Sequence, residues 1–159
     1  MANTPVLTQK VDKTKKKDYI YTVGRRREAV ARVRLYEHVK DGLSWQDTPV
    51  NKGDILVNGK LINEIFPDAL RRYIHSEPFR VTNTANKYTF TIKVDGGGMN
   101  GQLEAIVSGI SNALALVEDR KYRSVLKAKG FLTHDARVRE RRKVGTGGKA
   151  RRKRQSPKR

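Results

Sequence analysis

The C-terminal stretch constrains this chain more than any other part of it. Arg137 to Arg159 carry twelve Lys or Arg against a single Glu, a net +11, and Val138, Val144 and Ala150 are nearly their only apolar side chains. Such a segment cannot bury enough surface to offset its ordering entropy, so it becomes ordered only against an anionic surface. The core must be built from what precedes it, and 159 residues leave room for one domain of ordinary size plus arms. Residues 1–18 are polar and Lys-rich and read as a flexible basic arm. Residues 19–133 read as the globular domain and 134–159 as an extended basic tail.

The tail supplies more than half of a net charge of +19, from 35 Lys and Arg against 16 Asp and Glu. A chain so charged repels itself unless it meets a polyanion, and nucleic acid is the default one, because each phosphate neutralised releases condensed counterions. No apolar run reaches the roughly 18 residues of a membrane span, and the basic segments lack the Trp, Phe and Leu face of an interfacial helix, so no membrane partner is expected. Cysteine is absent, which removes disulfides, thiolate chemistry and zinc ribbons. The first residues hold no apolar secretion segment, so the cytoplasm is the expected address.

Within the domain, YIYTVG and REAVARVRLYEHV read as two strands around Gly24. Ala29, Ala31, Val33 and Leu35 alternate with Val30, Arg32, Arg34 and Tyr36, which puts Arg32 and Arg34 on one face. KDGLSWQDTPVNKGD reads as a loop, through Gly42, Pro49 and Gly53, and ILVNGK as a short strand running into a turn. From Lys60 to Ser76, Leu61, Ile62, Ile65, Phe66, Leu70, Tyr73 and Ile74 recur at helical spacing, and Pro67 splits them into two short helices. FRVTNT and KYTFTIKV read as a hairpin around Ala85 and Asn86. QLEAIVSGISNALALV is the best helix, with Leu103, Ile106, Val107, Ile110, Leu114 and Val117 on one stripe. A shorter helix covers Arg123 to Lys129 and stops at Gly130.

Two motifs invite chemistry. Gly96-Gly-Gly98-Met-Asn-Gly101 matches G-x-G-x-x-G between a strand and a helix. A dinucleotide site also needs a second parallel strand after the helix, ending in a ribose-binding acid. Glu118 and Asp119 follow the helix directly, and RKYRSVLKAKG has no strand pattern. The glycines therefore read as a tight turn whose bare backbone can approach a phosphate. Gly24 to Arg34 holds Arg25, Arg26, Arg27, Arg32 and Arg34. Alone these would suit a solvated edge strand, but beside the tail they read as a phosphate-binding surface. His38, His75 and His134 are isolated, and nothing pairs Glu64 or Glu104 as acid and base, so no catalytic residue, metal ligand or cofactor site is expected.

The blocks VGRRREAVARVRL, ILVNGK, IFPDALRRYI, DGGGMNGQLEAI, LKAKGFLTHDARVRERRKVG and KARRKRQSPKR, in this order, resemble small-subunit ribosomal protein nine from about Tyr19 to Arg159. The terminal Lys-Arg is typical of its bacterial-type members. The resemblance implies a non-enzymatic constituent of the small ribosomal subunit. Its fold would be an α+β two-layer domain like domain two of ribosomal protein five, flanked by a disordered N-terminal arm and the long basic tail. The implied partners are small-subunit rRNA in the subunit head, neighbouring head proteins and the anticodon stem-loop of P-site tRNA. On the body, rRNA would meet Arg25, Arg26, Arg27, Arg32, Arg34, Gly97 and Gly98. On the tail it would meet Arg137, Arg139, Arg141, Arg142 and Lys143, then Lys149, Arg151, Arg152, Lys153 and Arg154. Lys158 and Arg159 would reach the tRNA.

Three departures from that family stand out. Gln155-Ser156-Pro157 precedes the terminal pair where an aromatic is usual, and Val107 and Asn112 stand where basic residues are usual. The loop from Glu37 to Gly53, with Trp45, is longer than usual. The rival readings are a nucleotide-dependent enzyme of this fold and a general DNA-compacting protein. Charge concentrated in one tail and one strand, beside many apolar positions, argues against compaction.

Overall fold

A computed structural model of the chain describes residues 18–39 and 43–141. Strands β1 (Ile20–Arg26) and β2 (Ala29–Tyr36) form a hairpin. A small excursion, β3 (Ser44–Trp45) and β4 (Thr48–Pro49), leads to β5 (Ile55–Val57) and β6 (Lys60–Leu61). Helices α1 (Ile62–Ile65) and α2 (Ala69–Thr82) precede β7 (Thr89–Asp95), and α3 (Met99–Leu114) and α4 (Arg123–Ala128) complete the body. The sheet order is β1-β2-β7-β5-β6, with β5 and β7 parallel and the other pairs antiparallel. Helices against this sheet give the α+β two-layer class implied by the resemblance.

Strand period divides the sheet cleanly. Ala29, Ala31, Val33 and Leu35 of β2 are fully buried, and their register partners Phe90, Ile92 and Val94 of β7 join them under α3. Leu103, Ile106, Ile110 and Leu114 of the α3 stripe join this core, Val107 is buried but lies outside the cluster, and Val117 is buried just beyond the helix. At the tightest point a Cβ added to Gly24 would lie 2.0 Å from the Ala105 carbonyl oxygen and 2.4 Å from the Gly109 nitrogen. Only glycine lets β1 approach α3 so closely. Thr22 Oγ1 donates to the Gly109 carbonyl at 2.8 Å on the same seam. Past α3, the Glu118 carboxylate accepts from the Lys87 ammonium and from Tyr88 Oη at 2.8 Å, joining the approach to β7 with the approach to α4. These bonds, the Lys87 one foremost, pull its pKa down to about 2.

Several elements differ from the sequence expectation. The first hairpin turns at Arg27 and Glu28, with Arg27 at φ 54°, and Gly24 lies inside β1, because it is needed against α3 and not in the turn. FRVT is the end of α2, not a strand. His75, Pro78, Phe79 and Thr82 are buried at helical spacing, and this tertiary burial outweighs the β-branched composition. Asn83 closes α2 in the left-handed region, where the Thr84 N–H donates to the Phe79 carbonyl. KYTFTIKV therefore has no hairpin partner beside it in sequence, and β7 pairs with β2 and β5. The long loop folds back, with Thr48 Oγ1 donating to the Gly59 carbonyl and the Gly53 N–H to Thr89 Oγ1. Met99, not Gln102, opens α3, and the short helix before Gly130, at φ 78°, forms as expected. Among the described residues no parallel strand follows α3. A 3-10 turn and α4 take that place, so the glycine motif lacks the strand a dinucleotide site requires.

Candidate nucleic-acid interface

The glycine turn opens a helix N-terminus to solvent. Gly96 and Gly97 adopt φ 74° and 65°, and a Cβ on them would fall 2.4 Å from the Glu28 carbonyl oxygen and 2.9 Å from the Ala29 Cβ, respectively. Gly98 is the N-cap, with open space around its α-carbon, no side chain caps α3, and no acid occupies its first turn. The first amides of this 16-residue helix thus keep their dipole and unpaired donors for an anion. They face a cleft of about 600 Å³, lined by Arg26, Arg27, Glu28, Arg71, Asn100 and Arg139 as well as the glycines. Arg71 reaches in from the first turn of α2, held by Asp68 at 2.8 Å and donating to Asn100 Oδ1 at 3.4 Å.

A second basic surface is the outer face of the sheet. Strand alternation places Arg25, Arg32, Arg34 and Lys93 there, all exposed, with Arg32 directly opposite Lys93 in the register. Arg32 donates to Asp95 at 2.7 Å, and the Arg34 guanidinium lies 5.1 Å from the centre of the Tyr19 ring. Both surfaces offer forked, phosphate-matching donors.

The expected contact residues do not all share one environment. Arg25, Arg27, Arg32, Arg34, Arg139 and Arg141 are exposed, Gly97 packs on Ala29, and Gly98 caps α3. Arg26 is buried. Its guanidinium meets Glu104 Oε2 at 2.5 Å, Asp135 Oδ2 at 3.1 Å and the Arg137 carbonyl at 2.8 Å. Glu104 is therefore its partner and more than a plain surface charge. Arg137 is exposed and donates to Asp135 through both its side chain and its backbone amide, and these bonds hold that carboxyl well below the usual range. Arg142, Lys143, Lys149, Arg151, Arg152, Lys153, Arg154, Pro157, Lys158 and Arg159 lie outside the described residues, as does the N-terminal arm through residue 17.

Sequence reasoning missed Arg71, Lys93 and Asn100. Lys93 was recoverable from the alternation in KYTFTIKV, whereas nothing local links Arg71 to a turn nearly thirty positions on, at Asn100. Val107 is buried and Asn112 Nδ2 donates to the Val23 carbonyl at 3.3 Å, so both departures serve the fold. His75 is buried and neither ring nitrogen has a hydrogen-bond partner. Burial, aided by the nearby Arg72 charge, lowers its pKa. Among the described residues no three His, Asp or Glu cluster as a metal site, and no helix is long and apolar enough to cross a membrane.

The chain matches the family described as ribosomal protein S9/S16 over residues 24–159. It is 43% identical over 132 residues to small ribosomal subunit protein uS9 of Maridesulfovibrio salexigens, covering 83% of this chain and 91% of that protein. It is 42% identical over 128 residues to the uS9 of Lawsonia intracellularis, covering 80% and 88% respectively.

Proposed function

The chain belongs to the ribosomal protein S9/S16 family, in its bacterial form, and from that premise we propose that it holds rRNA in the head of the small ribosomal subunit through phosphate contacts and carries Lys158 and Arg159 to the anticodon stem-loop of P-site tRNA. It is a structural constituent of the subunit and not an enzyme. The observation that carries the rRNA reading is the uncapped start of α3, which faces Arg27, Arg71 and Arg139 across one cleft. Helix dipole, free amides and guanidinium groups converge there, an arrangement suited to a phosphate oxygen. The outer sheet arginines and the tail extend the same electrostatic surface, and the tail's expected partners are those its family implies.

Filter binding of the full chain to a small-subunit rRNA transcript tests this reading. Each phosphate contact contributes roughly 0.7 to 0.9 log units of affinity per log unit of salt, so six contacts give a slope of about −4 to −5 between roughly 50 and 200 mM. A slope near −1 would overturn it.

A further inference from the structure

We infer that Arg26 is a positioning residue for the tail: it routes the arm across the start of α3 and is not itself a ligand of RNA. The inference rests on the reading of that cleft as an rRNA site. Arg26 ends β1 with its side chain on the inner face, in the same alternation as Thr22 and Gly24, and only 9% of that side chain is exposed. All three of its nitrogens are engaged, Nε with Glu104 of α3, Nη2 with Asp135 and Nη1 with the carbonyl of Arg137. One buried cation thus joins a strand, a helix and the root of the tail, and a planar fork can satisfy three such acceptors where a lysine ammonium cannot match the geometry.

Asp135 locks the chain side of this joint. Its carboxylate accepts the Arg137 amide at 2.9 Å and the Arg137 guanidinium at 2.7 Å while also meeting Arg26. The backbone is therefore fixed through Arg137, and the next residues, Val138 and Arg139, line the cleft beside Gly98 to Gly101. An arm released at this point would have to be ordered by RNA at the moment of binding. An arm held here presents its first cations beside the α3 amides already.

The test uses the full-length protein with a small-subunit rRNA transcript, across the same salt range. Arg26→Lys keeps the charge and loses the fork. Asp135→Ala frees the tail root, leaves the Arg26–Glu104 pair inside the body, and makes the protein more positive. Both should bind roughly five- to tenfold more weakly at every salt concentration with the slope unchanged. For Asp135→Ala that loss runs against bulk electrostatics, which favours tighter binding. Arg25→Ala, at an exposed neighbour, should instead reduce the slope by up to about 0.9. Amide exchange in the free protein should speed up at residues 137–141 in both variants while core amides stay protected. A reduced slope for Arg26→Met, which removes the charge, would make Arg26 a phosphate ligand and overturn the inference, as would unchanged exchange or unchanged affinity in both Arg26→Lys and Asp135→Ala. A shallow slope in the unaltered protein would refute the rRNA reading instead, and the exchange measurement would still judge the joint by itself.

Discussion

Arg25 and Arg26 are adjacent and differ in almost everything that matters. Strand pleating turns Arg25 outward to solvent and Arg26 inward to three acceptors, so one is free to meet phosphate and the other is already neutralised. His75 shows the converse, a polar residue buried without partners. Its folded pKa lies below the usual 6.5, so the unfolded chain takes up the proton first as pH falls, and stability drops on acidification through the region below 6.5. Glu118, at about 2 when folded, contributes stability that is present above its ordinary 4.5 and lost only at lower pH. The two windows separate. Urea unfolding at about pH 7.5 and pH 5 should therefore show a loss in the unaltered protein, and His75→Leu should shrink that loss. An equally large loss in His75→Leu would place its origin elsewhere.

Among the elements, α3 has two duties that oppose each other. Its apolar stripe closes the core, while its uncapped start leaves amides unpaired at some expense of helix stability. Asn100→Asp separates these duties. An acid in the first turn should stabilise the helix by about 0.3 to 1 kcal/mol at low ionic strength, raising the melting temperature slightly. The same charge beside Arg71 and Arg27 should weaken RNA binding several-fold. A variant that is both more stable and equally tight with RNA would remove the α3 start from the interface. Helix α2 makes a related point, because Pro78 and the β-branched residues after it are tolerated where burial of Phe79 and Thr82 requires a helix.

At the scale of the whole molecule, the body and tail contribute separable properties. Lys158 and Arg159 end a basic tail with almost no apolar side chains, so a form ending at Pro157 should melt at the same temperature. On small subunits of equal protein occupancy, that truncation should speed release of P-site tRNA by a few-fold to about tenfold. This corresponds to charge-assisted contacts at the weak end of their range, since Pro157 restricts the approach and the aromatic usual in the family is missing. Identical release rates would leave the tail with rRNA alone.

Sequence by itself determined the features whose cause is local or periodic. These are the alternation in β2, the stripe of α3 and the stop at Gly130. It also carried the family, because ordered blocks of residues survive changes in the loops between them. Tertiary structure alone decided that Arg26 faces inward while Arg25 faces solvent, that FRVT is helical, and that Gly24 serves a crossing and not a turn. It alone joined Arg26 to Glu104 and to the Arg137 carbonyl, partners 78 and 111 positions away. The physical reason is that burial and ion pairing are set by neighbours in space. A charge's role follows from what lies opposite it once the chain has closed, and no local pattern in β1 encodes that.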